Sequence, residues 1–329
     1  MHYSIYGAIA SPYSIKLRAL MRYRRLPHVW IDEANARAEA LKAVKVPVIP
    51  VLRFPDGRHA NDTTPLIHEL ETLHEGRGVI PEDAGAAFLA ALIEDFADEW
   101  MTKAMFLYRW RAEIDQEQVS RWLVFDGLKR SGPPLEEQAA KFKTRQVGRV
   151  AMVAGTGAGS EALVESTTHA VLAALETQVE QGFFLFGTRP SHAEFALYGQ
   201  LAQLADDPTP MALMRDRYPY VARWLSHIAD LSGVDGTWGA PGPGVAPLLS
   251  VIGEVYLPFL IANAKAIATG AETVRLTAHG HDYKQAPFRY QAKCLATLRA
   301  QYAALDTAAR QRIDPLLKET GCLPHLKDD

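Results

Sequence analysis

The chain has 329 residues, 48% of them apolar and 22% charged, with a formal net charge of −3. That composition excludes collagenous, low-complexity and disordered classes, and the near-neutral charge excludes a surface built to neutralise a nucleic-acid backbone. The two cysteines, Cys294 and Cys322, form neither a CxxC redox pair nor a four-cysteine zinc set, and suit a reducing, cytoplasmic setting where thiols stay free.

The length predicts about two domains, with roughly three quarters of the extended-chain surface buried. Residues 1–80 carry 11 Lys and Arg against 8 Asp and Glu, a charge of +3, so the remainder carries −6. A small anionic ligand on the first part suits that asymmetry. The opening MHYSIYGAIASPYSIKLR lacks a basic stretch followed by an apolar one, so no secretory leader is expected. Residues 3–10 read as a strand broken by Gly7. Ser11-Pro12 then starts a helix: Ser can cap it and Pro fits its first turn. Ile15, Ala19 and Met21 recur at helical spacing up to the basic end at Arg22, Arg24 and Arg25. Short apolar runs at 28–31 and 46–54 read as strands, the second followed by the turn Pro55-Asp56-Gly57. A helix starts at Asp62-Thr63-Thr64-Pro65 and stops at Gly76.

After Pro81 the pattern is helical over 84–127 and 135–152. A glycine-rich tract at 154–160 reads as flexible and leads into a helix over 161–181. Ser191 and Glu194 form a capping box at the start of another helix. Residues 236–247 read as a Gly/Pro linker. Beyond it the pattern predicts a helix over 247–268, an extended segment over 272–285 and two further helices. The apolar run 247–267 contains Glu254, Pro258, Asn263 and Lys265, and is expected to be a buried helix, not a membrane span.

Four local patterns occur in order: Tyr6-x4-Ser11-Pro12-Tyr13-Ser14, Ile49-Pro50-Val51-Leu52, Asp62-Thr63, and Arg189-Pro190-Ser191-x-x-Glu194. With a βαβ-ββα opening and a helical part after it, the chain resembles the cytosolic glutathione transferase superfamily over residues 1 to about 235. The resemblance implies an α/β plus all-α fold. A thioredoxin-like glutathione-binding domain (1–80) precedes a helical domain (84–235), and a C-terminal extension (236–329) has no counterpart in the family pattern. It implies a homodimeric enzyme of the serine type that adds the thiolate of glutathione to a small hydrophobic electrophile. It implies no metal or redox cofactor, and neither a membrane nor a nucleic acid is expected as a partner. A glutathione-dependent isomerase, dehalogenase or ether-cleaving enzyme would use the same contacts, and a non-catalytic binding or scaffold protein of this fold is the alternative. The extension could cover the cleft, widen a subunit interface or stiffen the helical part.

By the same resemblance Ser11 stabilises the thiolate at a helix N-terminus, with Tyr6 and Ser14 in reserve; the local reading is a plain N-cap. SPYS in place of CPYC removes thiol–disulfide exchange, because a hydroxyl cannot form a mixed disulfide. Pro50 would be cis and, with Ile49, would pair with the cysteinyl backbone; Pro47 is its rival. Asp62 and Thr63 would hold the γ-glutamyl end, or merely cap their helix. Tyr13, Tyr108 and Arg111 would line the electrophile pocket, although Trp100, Phe106, Tyr108 and Trp110 also read as core. GTGAG at 155–159 lacks the preceding strand and following Lys of a phosphate loop. His279-Gly280-His281-Asp282 reads as a polar turn before a metal site, and a Ser-His-Asp hydrolase lacks its GxSxG elbow.

Overall fold

The computed structural model describes residues 2–127 and 132–327. Strand β1 (Tyr3–Tyr6) leads into helix α1 (Pro12–Tyr23), which Ser11 caps and Pro12 opens. Strand β2 (His28–Ile31) runs parallel to β1. Helix α2 (Ala34–Lys42) was not apparent from the sequence. Its cap is the Glu33 carboxylate, which accepts from the N–H groups of Asn35 and Ala36. Strands β3 (Val51–Arg53) and β4 (His59–Asn61) are antiparallel to each other, and β3 is antiparallel to β1. Helix α3 (Thr63–Leu73) follows. The sheet order β2-β1-β3-β4 is the thioredoxin-like arrangement.

Helix α4 (Ala84–Phe96), a π-helical turn (Ala97–Met101) and helix α5 (Thr102–Arg111) follow one another without a break. Then come α6 (Glu113–Phe125), α7 (Leu135–Val147), α8 (Val150–Ala154), α9 (Ala158–Gln181), α10 (His192–Asp206), α11 (Pro208–Arg217) and α12 (Pro219–Ile228). The capping box at Ser191 and Glu194 is present, and Glu194 also accepts from the Leu185 N–H at 2.6 Å, tying down the buried run before it. The extension contains α13 (Val245–Val251), a second π turn (Ile252–Tyr256) and α14 (Leu257–Thr269). These are followed by β5 (Val274–Ala278), β6 (His281–Gln285), α15 (Arg289–Ala304), α16 (Thr307–Glu319) and α17 (Leu323–Leu326). The segment read as extended is thus a hairpin. Its two turn residues, His279 and Gly280, have φ of 50° and 76°, as a two-residue turn between twisted strands requires.

Both glycine-rich tracts read as loose are fastened. A Cβ on Gly159 would lie 2.4 Å from the Asp282 carbonyl oxygen, and one on Gly155 would lie 2.8 Å from the Tyr283 ring. The glycines let α9 start against β6, where the Thr156 N–H donates to the Lys284 carbonyl at 2.8 Å. Residues 236–247 are bonded to the 185–188 loop: the N–H groups of Gly239 and Gly242 donate to the Phe186 and Leu185 carbonyls at 3.0 and 2.8 Å. One apolar core therefore runs from Tyr3 to Leu326, and the extension shares it. Among the described residues one stretch, Val245–Thr269, is long and apolar enough to cross a membrane; 61% of its most apolar window is buried inside the molecule. Leu248, Ile252, Tyr256 and Phe259 on it are fully enclosed.

Candidate functional site

Strand register brings three of the motifs to one edge of the sheet. Tyr6 pairs with Val51 and Val51 with Asn61, so these residues form one row across β1, β3 and β4. Adjacent strands lie about 4.8 Å apart. At this row the chain leaves β1 toward Ser11, enters β3 through Pro50, and leaves β4 into Asp62. The Ile49–Pro50 peptide is cis, whereas Pro47 is exposed in the loop before it. Asn61 holds that loop, its amide donating to the carbonyls of Val46 and Val48 at 2.6 and 3.0 Å.

The β1–α1 loop is held from three sides. Arg37 of α2 donates to the Gly7 carbonyl (3.1 Å), Gln203 of α10 to Ile9 (3.0 Å) and Arg109 of α5 to Ala10 (3.3 Å). Arg109 is itself fixed by both oxygens of Asp207 at 2.8 and 3.1 Å. Sequence reasoning gave none of the three an anchoring role, although Arg109 stands in the aromatic and basic cluster of residues 100–111. Ser11 is half-buried, and its oxygen accepts from the Ser14 N–H at 3.3 Å, which leaves the hydroxyl proton to donate elsewhere. Ser14 is fully enclosed beside Gly7, whereas Tyr6 is half-buried with its ring 6.2 Å from that of His59. Asp62 has a φ of 74°, a left-handed conformation that costs a non-glycine residue energy, and its side chain does not cap α3. Thr63 is 4% exposed. What α3 offers at this edge is its first N–H groups, those of Thr63 and Thr64, since Pro65 has none.

Across from the row lies a buried charged cluster that no motif announced. Lys16, fully enclosed on α1, donates at 2.6 Å to both Glu94 and Asp98. Thr64 donates to Glu94 at 2.7 Å, and the Tyr13 hydroxyl to the Asp98 carbonyl at 2.8 Å. A signal existed: Lys16 stands on the helical stripe of Pro12, Ala19, Leu20 and Tyr23, all buried. Burial disfavours the Lys16 charge, but Asp98 and Glu94 outweigh it and hold its pKa above the ordinary value. Burial likewise raises Glu94, but Lys16 reverses the direction and keeps it ionised. Asp98, with Lys16 already shared, is pushed by burial up to about 7, Asp95 to about 6 and Glu99 to about 8. Burial lowers Lys103 to about 7.

Asp95, Asp98 and Glu99 thus hold protons that the unfolded chain releases at lower pH. Their contribution to stability is complete below the ordinary carboxylate pKa and is lost as pH rises through their folded values. Lys103 acts in the opposite sense, adding stability only above about pH 7. The melting temperature is therefore expected to fall between about pH 5 and about pH 7, and Asp98→Asn to flatten that fall. Scanning fluorimetry across the interval checks it, and an unchanged slope in the variant would remove Asp98 from the account.

Tyr108 and Arg111 do share a face of α5, with the guanidinium 5.1 Å from the ring centre, but they turn toward α9, where Arg111 pairs with Glu165 at 3.2 Å. The structure does not bring them to the sheet edge; Arg109, between them in sequence, is the residue of α5 that reaches it. Helical periodicity groups residues on a face but does not say which neighbour that face meets. His279 lies 2.8 Å from Ser166 Oγ through Nδ1 and 3.0 Å from Glu254 through Nε2. Ser166 stands well inside α9, where backbone N–H groups are already bonded within the helix, so the row has no adjacent backbone donors for an oxyanion. It pins the hairpin turn instead. Among the described residues no group of three or more His, Cys, Asp or Glu could hold a metal ion.

The extension reaches this region. Tyr290 of α15 donates to the Asp62 carboxylate at 3.1 Å, and Lys103 donates to Gln285 of β6 at 2.7 Å. A cavity of about 340 Å³ borders the β1–α1 loop, lined by Ile9 and Gln203 together with Ile15, Arg18, Tyr198 and Met214.

The family model for the glutathione S-transferase N-terminal domain matches residues 5–78, and that for the C-terminal domain matches residues 153–227. The chain belongs to the glutathione transferase superfamily. Among solved structures it is similar to the beta-etherase LigF from Sphingobium sp. strain SYK-6, with 16% identity over 69% of this chain and 95% of that one and a TM-score of 0.49. It is also similar to a glutathione S-transferase from Rhodospirillum rubrum F11 (20% identity, 75% and 91% coverage, TM-score 0.44). A third is a glutathione transferase family member from Pseudomonas fluorescens Pf-5 with bound glutathione (18% identity, 69% and 94% coverage, TM-score 0.37). No curated protein matches the chain.

Proposed function

We propose that the protein binds glutathione along the edge defined by Tyr6, Val51 and Asn61 and transfers its thiolate to a hydrophobic electrophile. The observation that supports this reading is the register row of Tyr6, Val51 and Asn61, from which the chain runs on to Ser11 and Asp62 and which it enters through Pro50. The Ile49 backbone would pair with the cysteinyl residue. The N–H groups of Thr63 and Thr64 at the start of α3 would hold the γ-glutamyl carboxylate, and Asp62 the neighbouring ammonium group. Ser11 would donate a hydrogen bond to the thiolate sulfur, beside the positive end of α1. The thiol proton leaves to solvent and the thiolate forms the new S–C bond; either the leaving group departs with its electron pair, or the pair of the attacked double bond moves to the neighbouring atom, which solvent protonates. Phe288 of the extension, 54% exposed, would offer aromatic surface for the electrophile, whereas the hydroxyl of Tyr13 is turned to the Asp98 carbonyl.

Calorimetric titration with glutathione is expected to show saturable binding. Asp62→Asn, which tolerates the same backbone conformation, should weaken it about tenfold or more by removing a charge-assisted bond. Neither heat nor thermal stabilisation from wild type at millimolar glutathione would sink the reading.

A further inference from the structure

We infer that Tyr290, on the C-terminal extension, is a positioning residue of the glutathione site: it holds the Asp62 carboxylate toward the ammonium group of the γ-glutamyl end. The inference rests on the binding reading above. An aspartate at a helix N-cap ordinarily accepts from the N–H groups of its own first turn. Asp62 does not. Its side chain points to the extension, where the Tyr290 hydroxyl donates to Oδ2 at 3.1 Å. A carboxylate with one oxygen so held and turned off its own helix presents its remaining acceptor capacity to a cation.

The placement of Tyr290 is rigid. Asn263 of α14, itself fully enclosed, accepts from the Phe288 N–H at 2.8 Å and donates to the Phe288 carbonyl at 2.9 Å, so the backbone two residues before Tyr290 is gripped on both sides. The next residue, Gln291, is buried and accepts from Gln285 at 3.3 Å. Lys293 lies 5.7 Å from the Tyr290 ring centre and Phe288 6.5 Å from it, which brackets the ring from within the extension. From this bracket the Tyr290 hydroxyl reaches out to Asp62, 228 residues away in the chain. Residues outside both family-model matches thereby enter the recognition of the ligand's α-amino group.

The test compares two ligands on intact protein: glutathione, and glutaryl-cysteinyl-glycine, which lacks only the α-ammonium. Tyr290→Phe keeps the ring and removes the hydroxyl. It is expected to raise the dissociation constant for glutathione about fivefold, the loss of one hydrogen bond, and to leave that for the glutaryl ligand within about twofold. In an Asp62→Asn background the same substitution should have no further effect on glutathione. Equal weakening of both ligands, or wild-type affinity for glutathione in Tyr290→Phe, overturns the inference while leaving the binding reading intact. Failure of the wild type to bind glutathione removes both.

Discussion

Ser11→Ala is expected to lower kcat/KM with glutathione and an aryl halide such as chlorodinitrobenzene about 100-fold near neutral pH, the scale of one lost donor to a developing or bound anion. The hydroxyl oxygen already accepts from Ser14, so what the substitution removes from the ligand is the donated proton. The bound thiol then keeps a higher pKa, and less thiolate is present at a given pH. The deficit should accordingly shrink as pH rises, because hydroxide supplies the thiolate that Ser11 no longer stabilises. The bound thiolate's ultraviolet absorbance reports the same titration without any electrophile. Loss of the cap costs about 1 kcal/mol of stability, whereas glycine at an N-cap costs only a few tenths. Ser11→Gly therefore separates the chemistry from the helix start: it should match alanine in rate and wild type in melting. A variant within threefold of wild-type rate at neutral pH would place activation of the thiol elsewhere, with Tyr6 the next residue to test.

Lys16→Met is expected to destabilise the fold by about 3–5 kcal/mol near neutral pH, because it leaves Glu94 and Asp98 enclosed without their cation. Methionine matches the stem in length, so the loss reports charge and not volume. Without the lysine, burial raises Glu94 as it already raises Asp98, and both must take up protons to stay inside. The deficit should then be smaller at about pH 5 than at about pH 8, since a carboxylate raised in the folded state loses its contribution as pH rises. Adding Glu94→Gln and Asp98→Asn should recover most of the loss by removing the stranded charges. Denaturant titration at the two pH values measures this. A loss below about 1 kcal/mol would show that water reaches the cluster.

The chain's architecture was legible where a side chain announces a backbone event. Ser11-Pro12, Asp62 before Pro65, and Ser191 with Glu194 each mark a helix start that the structure contains. Helix α2 escaped because its cap is a glutamate, outside the usual capping set, and its apolar pattern is weak, with Ala40 its one buried residue. The π turns at 97–101 and 252–256 carry no residue signature, since each is a local shift of bonding within a helical pattern. Glycine was misread twice. Composition cannot distinguish a glycine that frees the chain from one that admits a close neighbour, and Gly159 and Gly236 are of the second kind. In the candidate site, local motifs marked Ser11, Pro50 and Asp62, whereas Lys16, Arg109 and Tyr290 depend on contacts between residues 78 to 228 positions apart, which no window along the chain contains.

The distance in sequence between Asp62 and Tyr290 also orders events during synthesis. Ribosomes add roughly 5–20 residues per second, so β1 to α3 emerge some ten to fifty seconds before the residue that grips Asp62 is made. In that interval the nascent chain has the sheet edge with its register row, but not the tyrosine. A chain that stalls or is cleaved after α12 keeps the strands and their motifs while lacking Tyr290, and it also exposes the apolar surface that α13 and α14 cover. On the proposed reading, the last contact of the ligand site is thus made only as the core closes, and a chain cut short exposes the apolar surface that α13 and α14 otherwise bury.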